Sequence, residues 1–270
     1  MIEKETICDV EKIKEQVQSK SPPNAFKLEV CANSYRSALA AQLGGAARVE
    51  LCDNLAEGGT TPSYAQIALS KKNLDIEIWP IIRPRGGDFL YTDIEFELIL
   101  EDTKICKSLR CEGIVTGILK ANGEVDEVRM CEVIKLATPM KVAFHRAFDM
   151  CLNKEKALED LIKLGIVRVL SSGGASSAVE GSETLAAMVT QAHGRITIMP
   201  GAGVNANNIQ ELIKKTGATE FHASAKTPVK SEMMFRNTAA KMGTVADEYQ
   251  YELSSKKLVE KLVGKMNETD

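Results

Sequence analysis

The chain has 270 residues, of which 44% are hydrophobic and 26% are charged. A chain of this size and composition can bury a large core, and barrels of alternating strands and helices reach about 250 residues as one domain. The formal net charge of -3 argues against nucleic acid or an anionic membrane as the main partner, because both attract basic proteins. We therefore expect a globular protein with no nucleic-acid partner and no membrane partner.

The cysteines and the N-terminus indicate a reducing compartment. Seven cysteines in a chain that is not small favour reduced thiols over a disulfide framework, and no CxxC or zinc-finger spacing is present. The N-terminal sequence MIEKETICDVEKIKEQ is too charged for a signal peptide, and no apolar run approaches the roughly 18 residues that span a bilayer. These features predict a cytoplasmic protein, with access to the nucleus left open.

The first 25 residues stand apart from the remainder of the chain. Apolar residues at helical spacing end there in a cluster of residues that break helices, Ser21-Pro22-Pro23-Asn24. We interpret residues 1–25 as an N-terminal tail and residues 26–270 as a single domain.

From Phe26 onward, strand signals and helix signals alternate. Short apolar and β-branched runs predict eight strands, at 26–30, 47–51, 77–82, 113–117, 141–145, 167–171, 195–200 and 219–224. A helical pattern follows each one, at about 34–45, 61–72, 92–110, 126–137, 153–164, 178–192, 204–217 and 254–267, with about 20 irregular residues before the last. This α/β alternation predicts a (β/α)8 TIM barrel, and an open doubly wound sheet is the alternative.

The alternation of side chains along each strand predicts which residues face the barrel interior. The outer face packs against helices and should be apolar, so the polar positions turn inward. The inward set at the C-terminal ends of the strands is Glu29, Cys31, Glu50, Cys52, Arg83, His145, His222 and Ser224. Active sites of this fold lie at that end of the barrel.

Five of these residues are candidate catalytic groups. Glu29 and Glu50 lie on neighbouring strands, where repulsion raises the pKa of one carboxyl unless a cation such as Arg83 compensates. The group is either a general acid/base pair with an anion-binding arginine or an ion network that only fills the barrel. His145 and His222 are each a third metal ligand, a proton carrier or a packed core histidine.

The sequence offers two further candidate sites, a pair of thiols that could bind a metal and a group of residues that could bind an anion. Cys31 and Cys52 end neighbouring strands about 4.8 Å apart, and soft thiolates suit Cu(I), although free cysteines are also common as small buried residues. Glycine turns follow strands 6 and 7, where backbone N–H groups either bind an anion or serve only the turn. The anion-binding candidates are Arg83, Arg85, Gly201, Gly203 and Ser224.

Several longer motifs resemble the CutC family of copper homeostasis proteins. They are KLEVCANS (27–34), RVELCDNLAEGGTTPS (48–63), PIIRPRGGDFLY (80–91), TGILKANGEVD (116–126), FHRAFDM (144–150), MPGAGVNANNI (199–209), MMFRN (233–237) and ADEY (246–249). The resemblance implies a TIM barrel, a cytoplasmic location, a homo-oligomer (dimer or tetramer) and the handling of copper as Cu(I). It places the metal thiols of the family on Cys31 and Cys52.

Three functional hypotheses follow. The first is a copper homeostasis protein that binds Cu(I) at Cys31 and Cys52. The second is an isomerase, lyase or hydrolase that acts on a small phosphorylated or carboxylated metabolite, with Glu or His for proton transfer and Arg for anion binding. The third is an oligomeric scaffold whose barrel mouth is inert.

Overall fold

The structure, a computed structural model, describes residues 26–242 and 247–268. The predicted tail, residues 1–25, lies outside the described residues. The barrel strands are β1 (Lys27–Ala32), β2 (Arg48–Leu51), β3 (Glu77–Pro80), β4 (Gly113–Thr116), β5 (Lys141–Phe144), β6 (Arg168–Ser171), β7 (Thr197–Pro200) and β8 (Glu220–Ala223). The helices are α1 (Tyr35–Leu43), α2 (Tyr64–Asn73), α3 (Asp93–Ser108), α4 (Glu127–Ala137), α5 (Lys154–Leu164), α6 (Ser182–Ala192), α7 (Ile209–Thr216) and α8 (Lys256–Asn267).

The eight strands form a closed barrel rather than an open sheet. Parallel pairing gives two arcs, β8-β1-β2-β3 and β4-β5-β6-β7. The arcs join at a parallel bridge between Ile81 and Val115, where the Ile82 N–H donates to the Val115 carbonyl over 2.7 Å. At the other join β7 packs beside β8. The predicted (β/α)8 fold is confirmed.

Two separate apolar cores explain how the sequence specifies this barrel. The outer core lies between strands and helices and takes alternate strand residues such as Leu28, Val30 and Val49. The inner core lies inside the barrel and contains Cys31, Cys52, Trp79, Ile81, Val115 and Ala143. The period of two along each strand therefore sorts side chains into the two cores.

Helix starts follow local capping chemistry. Ser34 and Ser63 accept hydrogen bonds from backbone N–H groups in the first turns of α1 and α2. Thr92 and Glu95 form a capping box at the start of α3. These hydroxyls satisfy donors that lack a partner in the helix, and they fix where each helix leaves the mouth.

The segment after β8 differs from the prediction of irregular chain. Strands β9 (Lys226–Lys230) and β10 (Gln250–Ser254) form an antiparallel hairpin. The hairpin is tied to the barrel at its base, where the Ser254 N–H donates to Ser37 Oγ and the Ser254 hydroxyl donates to the Ser224 carbonyl. Within the described ranges, no helix is long and apolar enough to cross a membrane.

Candidate functional site

A cavity of about 410 Å³ opens at the C-terminal ends of the strands. Its polar lining comes from β1, β2 and β8 and from the loops after β2, β3, β5 and β8. The lining includes six of the eight residues predicted to face the mouth: Cys31, Glu50, Arg83, His145, His222 and Ser224. The other two, Glu29 and Cys52, lie directly behind this lining and contact it.

Glu29, His222 and Glu50 form a chain of alternating carboxylates and imidazole. Strand register places Glu29 opposite His222. The Nδ1 atom of His222 lies 2.9 Å from Oε1 of Glu29, and its Nε2 atom lies 3.7 Å from Oε2 of Glu50. Glu29 therefore orients the ring and leaves Nε2 facing Glu50 and the cavity.

The cations that balance Glu29 differ from the expected one. Arg48, opposite Glu29 in the strand register, makes a direct ion pair with it, and Arg168 of β6 approaches to 3.8 Å. Arg83 instead donates to the carbonyls of Glu57, Gly59 and Gly87 at 2.8 Å each. The reason is the position of each arginine along the barrel axis. Arg83 follows the end of β3 and reaches the loops, whereas Arg48 begins β2 and lies in the layer of Glu29.

The two carboxyl groups have opposite electrostatic environments. Burial alone would raise the pKa of Glu29, but the charges of Arg48, His222 and Arg168 and the His222 hydrogen bond hold it well below its usual value. Burial raises the pKa of Glu50, and the neighbouring imidazole offsets this only in part. For His222, burial is outweighed by the Glu29 hydrogen bond and the two carboxylate charges, so its pKa is raised. Glu50 is thus the carboxyl best placed to exchange protons.

The two thiols predicted to meet do so behind this chain. The Sγ atoms of Cys31 and Cys52 lie 3.6 Å apart, and both residues are buried. The interaction with Cys52, followed by burial and the nearby Glu50, raises the pKa of Cys31 well above its usual value. Cys31 also belongs to a second group, because its sulfur and ligand atoms of Glu50 and His222 all lie within 4.8 Å of one another.

His145 faces the cavity from the loop after β5. Its Nδ1 atom accepts a hydrogen bond of 3.2 Å from the Ala147 N–H, which caps a short 3-10 helix over Arg146–Met150. Burial, with a smaller contribution from the Arg83 charge, lowers the pKa of His145 to about 3. The ring is therefore neutral at pH 7 and carries its hydrogen on Nε2.

The predicted anion-binding residues are only partly brought together. Gly203 and Ser224 line the cavity with Arg83. The Gly201 N–H donates to the Ser171 carbonyl. Arg85 turns away from the cavity toward Glu95 and Asp88, which it binds together with carbonyls of its own loop.

The glycine turn after β6 already binds an anion from the chain itself. The Asp149 carboxylate accepts hydrogen bonds from the Ser171 hydroxyl (2.6 Å), the Ser172 N–H (3.1 Å) and the Gly174 N–H (3.0 Å). Arg146 pairs with the same carboxylate over 2.8 Å. This turn is therefore closed to an external phosphate.

Sequence reasoning missed Arg168 and Asp149. Arg168 carried a usable signal, because alternation along β6 turns it inward when Val169 packs in the outer core. Asp149 carried none, because its role depends on how the loop after β5 folds over the turn after β6.

The fold and its polar mouth define a TIM-barrel protein with a candidate ligand site at the C-terminal ends of its strands. The CutC family model matches residues 26–227, and the chain belongs to the CutC family. It is 52% identical over 223 residues to a CutC family protein from Chromobacterium violaceum, covering 82% of this chain and 90% of that protein. The human protein named copper homeostasis protein cutC homolog is 44% identical over 230 residues, 85% of this chain and 84% of that protein.

A solved structure supports the same assignment. The crystal structure of CutC from Streptococcus agalactiae matches with a TM-score of 0.71 at 34% identity, covering 74% of this chain and 98% of that chain. The resemblance that the sequence motifs indicate is confirmed, and the chain is a member of a copper homeostasis protein family.

Proposed function

We propose that the protein binds Cu(I) as its cargo through the thiolates of Cys31 and Cys52. The observation that carries this proposal is the separation of 3.6 Å between the two buried sulfurs. Metal–sulfur bonds of about 2.3 Å allow one ion to bridge sulfurs as far apart as about 4.6 Å, so the pair can hold an ion without backbone movement. Soft thiolates select Cu(I) over hard cations.

The mixed group of Cys31, Glu50 and His222 offers a competing donor set. Its sulfur, oxygen and nitrogen ligands suit a borderline cation such as Zn²⁺ better than Cu(I). His222 has one ring nitrogen engaged by Glu29, so only Nε2 is free to bind a metal. Because both sets share Cys31, the role of Cys52 distinguishes them.

Proton release accompanies binding at this site. The raised pKa of Cys31 keeps its thiol protonated at neutral pH, and a metal must displace that proton. Glu50 faces Cys31 in the strand register and has a raised pKa of its own. This carboxyl is therefore a suitable first acceptor for the thiol proton.

The test is an anaerobic titration of the reduced protein with Cu(I) against a competing chelator. We expect one tight Cu(I) per chain and its loss in the Cys31→Ser, Cys52→Ser double variant. The Cys52→Ser single variant should also lose it, whereas the mixed set of Cys31, Glu50 and His222 would keep its ion in that variant. The chain offers a matched control, because Cys106 and Cys111 are a second pair of buried thiols that interact. Cys106→Ser, Cys111→Ser should keep the site, whereas unchanged stoichiometry in the first double variant would reject the proposal.

We infer a cytoplasmic, homo-oligomeric protein as the setting for this function. All six cysteines in the described part of the chain are free thiols, as expected for a reducing compartment. Light scattering coupled to size exclusion tests the dimer or tetramer, and a monomer at micromolar concentration would reject it.

A further inference from the structure

Three buried polar atoms that lack partners belong to residues that line the mouth cavity. Among the described residues six buried side-chain atoms lack a hydrogen bond, and three of them belong to cavity-lining residues: Oε1 of Glu50, Nε of Arg83 and Nε2 of His145. All three side chains are at least nine-tenths buried. Leaving such a group without a partner is unfavourable, so their concentration at one cavity points to a ligand that supplies the missing partners.

The three atoms specify what the ligand must carry. His145 uses Nδ1 as an acceptor, so its Nε2 presents a hydrogen, and Nε of Arg83 is always a donor. Both atoms therefore require acceptor oxygens on the ligand. Oε1 of Glu50 is an acceptor oxygen, so its partner on the ligand is a donor such as a hydroxyl.

Charge adds a preference for an anion. Arg83 makes no ion pair with any carboxylate in the described ranges, because its other donors bind three carbonyls. A cation that makes no ion pair at the wall of a cavity favours a phosphate or carboxylate. Gly203 and Ser224 line the same cavity from the ends of β7 and β8, where barrels often bind anions.

The cavity is much larger than a bare metal ion needs. Its volume of about 410 Å³ lies in the range of small-molecule sites and far exceeds one ion. Arg83 and His145 have nitrogens that bind acceptor oxygens, and neither belongs to the close group of Cys31, Glu50 and His222. The copper proposal therefore leaves these features unexplained.

We propose that the mouth cavity binds a small hydroxylated anion, through His145 and Arg83 at its phosphate or carboxylate group and through Glu50 at a hydroxyl. The ligand class is a phosphorylated polyol or a hydroxy acid. Binding does not require copper, so this activity stands whether or not Cys31 and Cys52 bind Cu(I).

The test is calorimetric titration of the reduced, copper-free protein with glycerol 3-phosphate, D-glycerate and glycerol. At least one of the two anions should bind with a Kd of about 1 mM or below, and the neutral glycerol should bind at least tenfold more weakly. The stronger of the two anions identifies the phosphate or the carboxylate as the recognised group. Failure of both anions to bind, or equal binding of glycerol, would overturn the proposal.

A paired substitution separates recognition from folding. His145→Asn keeps an acceptor that can cap the 3-10 helix, since asparagine is a preferred cap, but it removes the Nε2 donor. The matched control is His193→Asn, because His193 is exposed and ends α6 in the left-handed conformation that asparagine tolerates. We expect at least a tenfold loss of anion affinity in His145→Asn only. Equal affinity in the two variants would show that His145 does not contact the ligand.

Discussion

His222 and Glu29 face each other across the β8–β1 pairing, and the ring Nδ1 atom lies 2.9 Å from Oε1 of the carboxylate. This contact joins the last barrel strand to the first. It also decides which nitrogen of His222 faces the cavity, because the bonded Nδ1 leaves Nε2 beside Glu50. The carboxylate thus serves both the closure of the barrel and the orientation of the ring.

Replacing Glu29 should be strongly destabilising. Glu29→Gln removes the one carboxylate that contacts all three of Arg48, Arg168 and His222 inside the barrel, while Glu220 keeps its pairs with the two arginines. Removing one partner of a buried ion network costs about 3 to 5 kcal/mol, and urea unfolding would measure it. Glu159→Gln, which breaks the exposed pair with Arg195, is the control and should change stability little. Equal effects of the two substitutions would contradict the assigned role of Glu29.

Cu(I) affinity should rise with pH. The proton that the Cys31 thiol releases on binding contributes about a tenfold gain in affinity per pH unit. The raised pKa of Cys31 extends this dependence through neutral pH. Chelator competition at pH 6, 7 and 8 would measure the slope, after correction for the pH dependence of the chelator itself. An affinity independent of pH would mean that thiolates are not the ligands.

The alternation of side chains along a strand explains which parts of the candidate site can be predicted from the sequence. The period of two along β1 and β2 is local, so it placed Glu29, Cys31, Glu50 and Cys52 inside without knowledge of the loops. The same rule could not predict the bonding of Arg83, because its partners are carbonyls of loops whose conformation is set by the folded barrel.

The hairpin after β8 was unpredictable for a related reason. The sequence of β9, KTPVK, alternates in burial only between exposed and half-buried positions, and it contains a proline. Such a strand has no apolar face from which it could be predicted. Its pairing with β10 spans a long gap in the chain and is anchored by the contacts of Ser254 with Ser37 and Ser224.

Stability should fall between pH 7 and pH 5 through His145. Its folded pKa of about 3 lies below the unfolded value, so the unfolded chain binds more protons in this range and stability rises with pH. Lowering the pH from 7 to 5 should cost about 2 kcal/mol through this group, given an unfolded pKa near 6.5. Urea unfolding at the two pH values should show that loss reduced in His145→Asn and retained in His193→Asn. The same pH dependence in both variants would assign the effect to other groups.

Asp149 gives a test of the closed glycine turn that needs no natural ligand. Asp149→Ala leaves the N–H groups of Ser172 and Gly174 without their acceptor and removes the partner of Arg146. Losing hydrogen bonds to a buried charged group should destabilise the protein by about 2 to 3 kcal/mol.

Acetate can then enter the vacated turn and replace the missing carboxylate. Acetate should therefore raise the melting temperature of Asp149→Ala more than that of the unaltered protein, with chloride at equal ionic strength as the control. In the unaltered protein the Asp149 carboxylate fills the turn, so acetate can bind there only in Asp149→Ala. Equal shifts in the two proteins would therefore mean that the turn does not recognise a carboxylate.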